Sequence, residues 1–115
     1  MIISSIDRKL RKEINYMENK LFDLSEKVSV ITGGNGGIGL GIAEGLASSG
    51  CNVAILGRNE EKNQLSKDLL NKFGTKIETY KVDVSKESDV KNTISKVVND
   101  FGRIDSVFAN AGVNI

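Results

Sequence analysis

The 115-residue sequence has no histidine and a single cysteine, Cys51. One thiol excludes an internal disulfide, and without imidazoles the usual Cys/His zinc site has no ligand set, so no metal site is expected. An excess of charge of either sign is also missing. Sixteen Lys plus Arg against fifteen Asp plus Glu leave a formal +1, which offers no bulk attraction to nucleic acid or to an anionic membrane. No apolar run approaches the roughly 18 residues that span a bilayer, and the N-terminus has no secretory apolar region. Together these absences point to a cytoplasmic, reducing compartment, with no nucleic-acid and no membrane partner. Cys51 stands before an apolar strand and reads as a small core or rim residue. At 39% hydrophobic and 27% charged residues the composition is that of an ordinary globular chain. Its length fits one small domain or part of a larger one.

What the sequence does have is glycine in one place. In Val28-Ser29-Val30-Ile31-Thr32-Gly33-Gly34-Asn35-Gly36-Gly37-Ile38-Gly39-Leu40-Gly41, an apolar β-branched run stops at a glycine cluster. Behind it an apolar pattern resumes at helical spacing, at Ile38, Ile42 and Leu46, so the stretch reads as strand, tight turn and helix. A helix starting there aims unpaired N–H groups and its positive dipole end outward, a ready site for phosphate. The glycines turn the chain, let backbone approach a pyrophosphate, and let the helix pack closely on the strand. Gly34, Gly36 and Gly39 fit G-x-G-x-x-G in the strand–turn–helix context which that motif needs. Gly33, Gly37 and Gly39 after Thr32 also fit T-G-x-x-x-G-x-G. No Gly-Lys-Ser or Gly-Lys-Thr follows, which excludes a P-loop.

The rest of the chain repeats this alternation. Residues 1–24 carry Ile6, Leu10, Ile14, Met17 and Leu21 at spacings of three and four among charges, the pattern of an amphipathic helical extension. From residue 25 onward strands are predicted at Val53–Leu56, Lys76–Val82 and Ile104–Ala109. A second helix, capped by Asn59, is expected to bury Leu65, Leu69, Leu70 and Phe73 and to end at Gly74. A third, capped by Ser85, is expected to bury Val90, Ile94, Val97, Val98 and Phe101 and to end at Gly102. Strands alternating with such helices imply right-handed crossovers and a parallel sheet, an α/β fold of the Rossmann, doubly wound type. In that fold the fourth strand is interior, so a sheet ending there is truncated, and residues 25–115 read as the N-terminal part of a longer dinucleotide-binding domain.

Two residues beyond the glycines are placed for ligand chemistry. Where the dinucleotide fold carries a ribose-binding carboxylate at the end of the second strand, this chain has Gly57 and then Arg58. Without the carboxylate a 2′-phosphate is not repelled, and Arg58 can pair with it, so NADP is preferred over NAD. By the same logic an aspartate at position 57 repels the phosphate and can accept from a free ribose, so the double change Gly57→Asp with Arg58→Ala is expected to shift the preference toward NADH. Asp83, at the end of the third strand, can either accept from an adenine amino group or serve the turn into the next helix. Asn110-Ala111-Gly112 follows the fourth strand, where small residues permit close approach and an asparagine can bridge backbone groups.

Taken together, Thr32 to Gly39, Asp83-Val84 and Asn110-Ala111-Gly112 closely resemble the short-chain dehydrogenase/reductase family, in order and spacing, across residues 25–113. The resemblance implies an NAD(P)-dependent oxidoreductase that interconverts an alcohol and a ketone on a small-molecule substrate, as a homo-oligomer. It implies cofactor contacts at Gly33, Asn35, Gly36, Gly37, Ile38, Gly39, Arg58, Asp83, Val84, Asn110, Ala111 and Gly112. Leu21 to Ser25 and Gly57 to Lys62 are similar to family members acting on sugar acids, although neither segment belongs to a substrate pocket. The chain departs from the family pattern in having Ala109 where a first asparagine is common. The family's catalytic serine, tyrosine and lysine fall beyond Ile115, so no catalytic residue is assigned. Tyr16 and Lys20 match Tyr-x-x-x-Lys but precede the glycine loop, the wrong place for that pair. The alternative function is a dinucleotide-binding or regulatory module without catalysis.

Overall fold

The computed structural model describes residues 9–10, 12–13 and 23–110. Most of the expected N-terminal extension, with Tyr16 and Lys20, lies outside the described residues, as do Ala111 and Gly112. The elements run β1 (Val28–Thr32), α1 (Gly37–Ser48), β2 (Asn52–Gly57), α2 (Glu60–Leu70) with a 3-10 turn at Asn71–Phe73, β3 (Ile77–Lys81), α3 (Glu87–Phe101) and β4 (Ser106–Ala109). All strand pairs are parallel, in the order β3-β2-β1-β4. The doubly wound α/β sheet expected from the alternation is thus present through its fourth strand.

The two central strands bury both faces, which is why they read as continuous apolar runs. Ile31, Val53, Ile55 and Ile77 pack with Ala43, Ala47 and Leu70 on the side covered by α1 and α2. On the opposite side Val30, Ala54, Leu56 and Val82 pack with Val97 of α3. Adjacent residues of one strand therefore serve different layers, as a period of two requires. Cys51 is fully buried, and that burial pushes its thiol pKa up.

The helices differ from expectation in which residues face inward. α1 buries Gly39, Ala43 and Ala47, while Ile38 is 76% exposed and Ile42 and Leu46 only flank the core. Small residues every fourth position bring the helix close to the sheet, a preference that counting large apolar residues misses. α2 buries Asn63, Ser66 and Leu70, and leaves Leu65 64% and Leu69 50% exposed. A helix turns about 100° per residue, so once Ser66 and Leu70 face the sheet, Leu65 and Leu69 are turned off it. α3 buries Thr93 and Val97, with Val98 exposed.

The helix ends follow local chemistry. The Asn59 side chain accepts the Lys62 N–H at 3.0 Å, as an N-cap should, and Gly74 and Gly102 adopt φ of 77° and 83°. Ser85 does not cap α3: the N-cap is Lys86, without a side-chain bond, and the Ser85 hydroxyl turns back to Asp83.

One carboxylate fixes the start of the central strand. Asp105, just before β4, accepts the Val28 N–H at 2.8 Å and two bonds from Arg103, at 2.8 and 2.5 Å. The Arg103 guanidinium, and then the Val28 N–H, hold its pKa below the ordinary carboxylate value. A depressed carboxylate contributes stability that is fully present above its unfolded pKa and is lost as pH falls through the folded one. Thermal melts of wild type and Asp105→Asn should therefore converge as pH falls below the ordinary carboxylate range, with wild type the more stable above it. Parallel curves would mean that Asp105 contributes nothing through its charge.

Candidate functional site

The C-terminal ends of the strands gather the candidate residues on one edge of the sheet, where open α/β sheets bind ligands. β1 delivers the glycine loop there. The Gly33 N–H bonds to the Leu56 carbonyl at 2.9 Å, so the loop's first residue is tied to β2. Gly33 and Gly37 have φ of 70° and 56°, the left-handed region in which a side chain is strained. Gly34 is buried, with Ile31 and Ile55 3.1 to 3.2 Å from where a Cβ would lie. Gly36 is the extended N-cap of α1, and open space lies beside both Gly36 and Gly37.

Gly39 is the point of closest approach. A Cβ there would lie 2.2 Å from the Gly33 carbonyl oxygen and 2.7 Å from Asn110 Nδ2. The first turn of α1 thus rests on the loop backbone, with the Asn110 amide beside it. β4 is held to β1 through Thr32, whose Oγ1 accepts the Asn110 N–H at 2.9 Å and donates to the Phe108 carbonyl at 3.4 Å. Glycine loop, α1 start and the Asn110 turn form one packed unit, and Ile38 projects from it into solvent.

Asn35 points inward. Its Nδ2 donates to Asn63 Oδ1 at 2.9 Å, and Asn63 Nδ2 donates to the Gly57 carbonyl at 3.0 Å. The amide orientations follow from chemistry: a carbonyl only accepts, so Nδ2 of Asn63 must face Gly57 and its oxygen must then face a donor. Asn63 is fully buried and was not among the expected site residues. The signal that could have found it is its i, i+3, i+7 relation to Ser66 and Leu70, masked by the more conspicuous Leu65 and Leu69.

Arg58 and Asp83 share a cleft of about 480 Å³ between the ends of β2 and β3 and the first half of α3, with Lys81, Asp89, Asn92 and Lys96 also on its walls. Asp83 Oδ1 accepts the Ser85 hydroxyl at 2.7 Å and the Ser85 N–H at 3.0 Å, so it does serve the turn into α3. Those two bonds, with the Arg58 charge adding to them, hold its pKa below the ordinary carboxylate value. Arg58 is exposed at the mouth, and Lys81 and Lys96 add positive charge that the sequence reading did not single out. Val84 packs toward the core beneath this cleft.

The arrangement fits a dinucleotide. The open, side-chain-free surface at Gly36 and Gly37 suits a pyrophosphate at a helix N-terminus. The cleft that Arg58 and Asp83 share offers a ligand both a cation and a carboxylate. Among the described residues no group of His, Cys, Asp or Glu is placed to hold a metal ion, and no helix is long and apolar enough to cross a membrane.

Comparison with known proteins agrees with this geometry. A sorbose reductase from Candida albicans is 41% identical over 93 residues, covering 81% of this chain and 33% of the relative. The structure of L-sorbose reductase from Gluconobacter frateurii complexed with NADPH and L-sorbose superposes with a TM-score of 0.76 at 35% identity, over 82% of this chain and 36% of that one. That of an NAD+-bound xylitol dehydrogenase gives a TM-score of 0.76 at 38% identity, over 78% and 35%. The chain thus spans about a third of the length of the curated relatives it matches. The profile of the short chain dehydrogenase family matches residues 27–115, and with the relatives above it shows that the chain belongs to that family.

Proposed function

We propose that residues 25–115 hold the dinucleotide of an NADP-preferring oxidoreductase that interconverts an alcohol and a ketone, and that residues 1–24 form an extension outside that domain. The observation that carries this reading is the end of β2. There Gly57 presents no side chain and Arg58 stands at the mouth of the cleft that also holds Asp83. In the proposed assignment the loop from Gly33 to Gly39, with Asn35 and Ile38, surrounds the pyrophosphate and its approach to the nicotinamide. Arg58 pairs with the 2′-phosphate, Asp83 and Val84 border the adenine, and Asn110, Ala111 and Gly112 border the nicotinamide ribose. When bound, the nicotinamide supplies or takes up the hydride. This chain's own residues bind it and orient it.

The named activities of the relatives, on sorbose and xylitol, support a sugar or polyol as the substrate class. The family resemblance supports a homo-oligomer, and the single, unpaired cysteine supports a reducing, cytoplasmic compartment. Both cofactors occur among solved relatives, so the preference rests on Gly57 and Arg58 at the end of β2.

Arg58→Ala tests it. A hydrogen bond to a charged group contributes about 1.5 to 3 kcal/mol, and for a solvent-exposed arginine the lower end applies, or about tenfold in affinity. NADPH binding to the full chain should weaken by about that factor, while NADH, which has no 2′-phosphate, changes less than about twofold. Calorimetric titration of both cofactors at one fixed salt concentration measures the ratio. A wild-type preference for NADH, or equal weakening of both, would overturn the assignment.

A further inference from the structure

The space beside Gly57 is already taken. A Cβ at that position would lie 2.5 Å from Asn35 Nδ2 and 2.6 Å from Asn63 Oδ1, the two atoms of the amide bridge. We propose that Asn63 is a positioning residue that sets cofactor preference: by holding Asn35 across the Gly57 backbone it bars a carboxylate from the end of β2 and leaves Arg58 as the side chain that meets the ribose. This rests on the cofactor reading above and goes beyond it, because it assigns the preference to a buried residue of α2.

The physical argument has two parts. Any side chain at position 57 must push the Asn35 amide away, since Asn63 is fully buried in α2 and bonded to the Gly57 carbonyl. That leaves Asn63 Oδ1 buried without its donor, a loss that a solvent-exposed contact would not incur. The bridge also holds the only loop residue between Gly33 and Gly39 with a polar side chain, so freeing it loosens the phosphate loop from β2. It follows that an aspartate at position 57 does not by itself create an NADH site. The carboxylate lacks room until Asn63 is shortened.

Two measurements on the full chain decide this. In cofactor-free thermal melts, Gly57→Ala should lower Tm by about 3 °C or more in the wild-type background and by less than about 1 °C in the Asn63→Ala background. In titrations with NADH, Gly57→Asp with Asn63→Ala should bind about tenfold more tightly than Gly57→Asp alone, a gain that a merely structural role for Asn63 would not produce. Equal Tm losses in the two backgrounds overturn the proposal. So does Gly57→Asp binding NADH as well as the double variant. If Gly57→Asp fails to fold, the alanine pair still decides. The reading of Arg58 is tested on a different variant, so its failure and that of the Asn63 proposal are distinguishable.

Discussion

Gly39→Ala should destabilise the chain by about 2 to 3 kcal/mol, although alanine is intrinsically the better helix former by about 1 kcal/mol. The sign is decided by distance. The added methyl would lie 2.2 Å from the Gly33 carbonyl oxygen, a backbone atom that cannot rotate away, and 2.8 Å from the Gly33 carbonyl carbon. Relief requires the start of α1 to lift from the loop, which also strains the Leu40 N–H to Gly36 carbonyl bond, already 3.3 Å long. Gly41 and Gly45 in the same helix provide the control, because nothing lies within 4 Å of a Cβ at either. Gly41→Ala and Gly45→Ala should gain up to about 1 kcal/mol from reduced backbone entropy. Denaturant unfolding of the three variants without cofactor reads the contrast directly. If Gly39→Ala were as stable as Gly41→Ala, the helix would not rest on the loop as described.

Gly39 also marks the boundary between what was legible in the sequence and what was not. The strand–glycine–helix order, the parallel alternation and the placing of Arg58 and Asp83 on one edge follow from periodicity and from which residues tolerate turns. Those are local properties, written into neighbouring positions. The inward faces of α1 and α2 are less legible, because they depend on how closely each helix approaches the sheet. At α1 a close approach buries Gly39, Ala43 and Ala47, with Leu46 at the edge of the core and Ile38 in solvent; at α2 it selects Asn63 and Ser66 over Leu65 and Leu69. A polar residue at an inward position carries meaning only with its partners, and those of Asn63 lie 28 and 6 residues away, at Asn35 and Gly57. Ser85 illustrates the same limit at short range. Its hydroxyl had two nearby uses, the cap of α3 or the Asp83 carboxylate, and the geometry selects the second.

Gly37→Val should abolish dinucleotide binding while leaving the fold largely intact, the opposite balance from Gly39. Gly37 opens α1 at φ of 56°, and nothing lies within 4 Å of a Cβ there. No packed neighbour is displaced, so the structural cost is the backbone strain of a β-branched residue in the left-handed region, about 1 to 3 kcal/mol. The branched side chain would instead occupy the open space at the helix N-terminus, where a pyrophosphate would accept backbone N–H bonds. Losing two such charge-assisted bonds at about 1.5 kcal/mol each corresponds to a weakening of about 100-fold or more, for NADPH and NADH alike. Gly37→Ala separates the terms, because it carries most of the strain with little of the volume, and it should retain more affinity than the valine variant. Calorimetry with both cofactors, alongside circular dichroism of the same samples, measures binding and folding independently. Unchanged affinity in a folded Gly37→Val protein would show that the pyrophosphate does not sit at this loop.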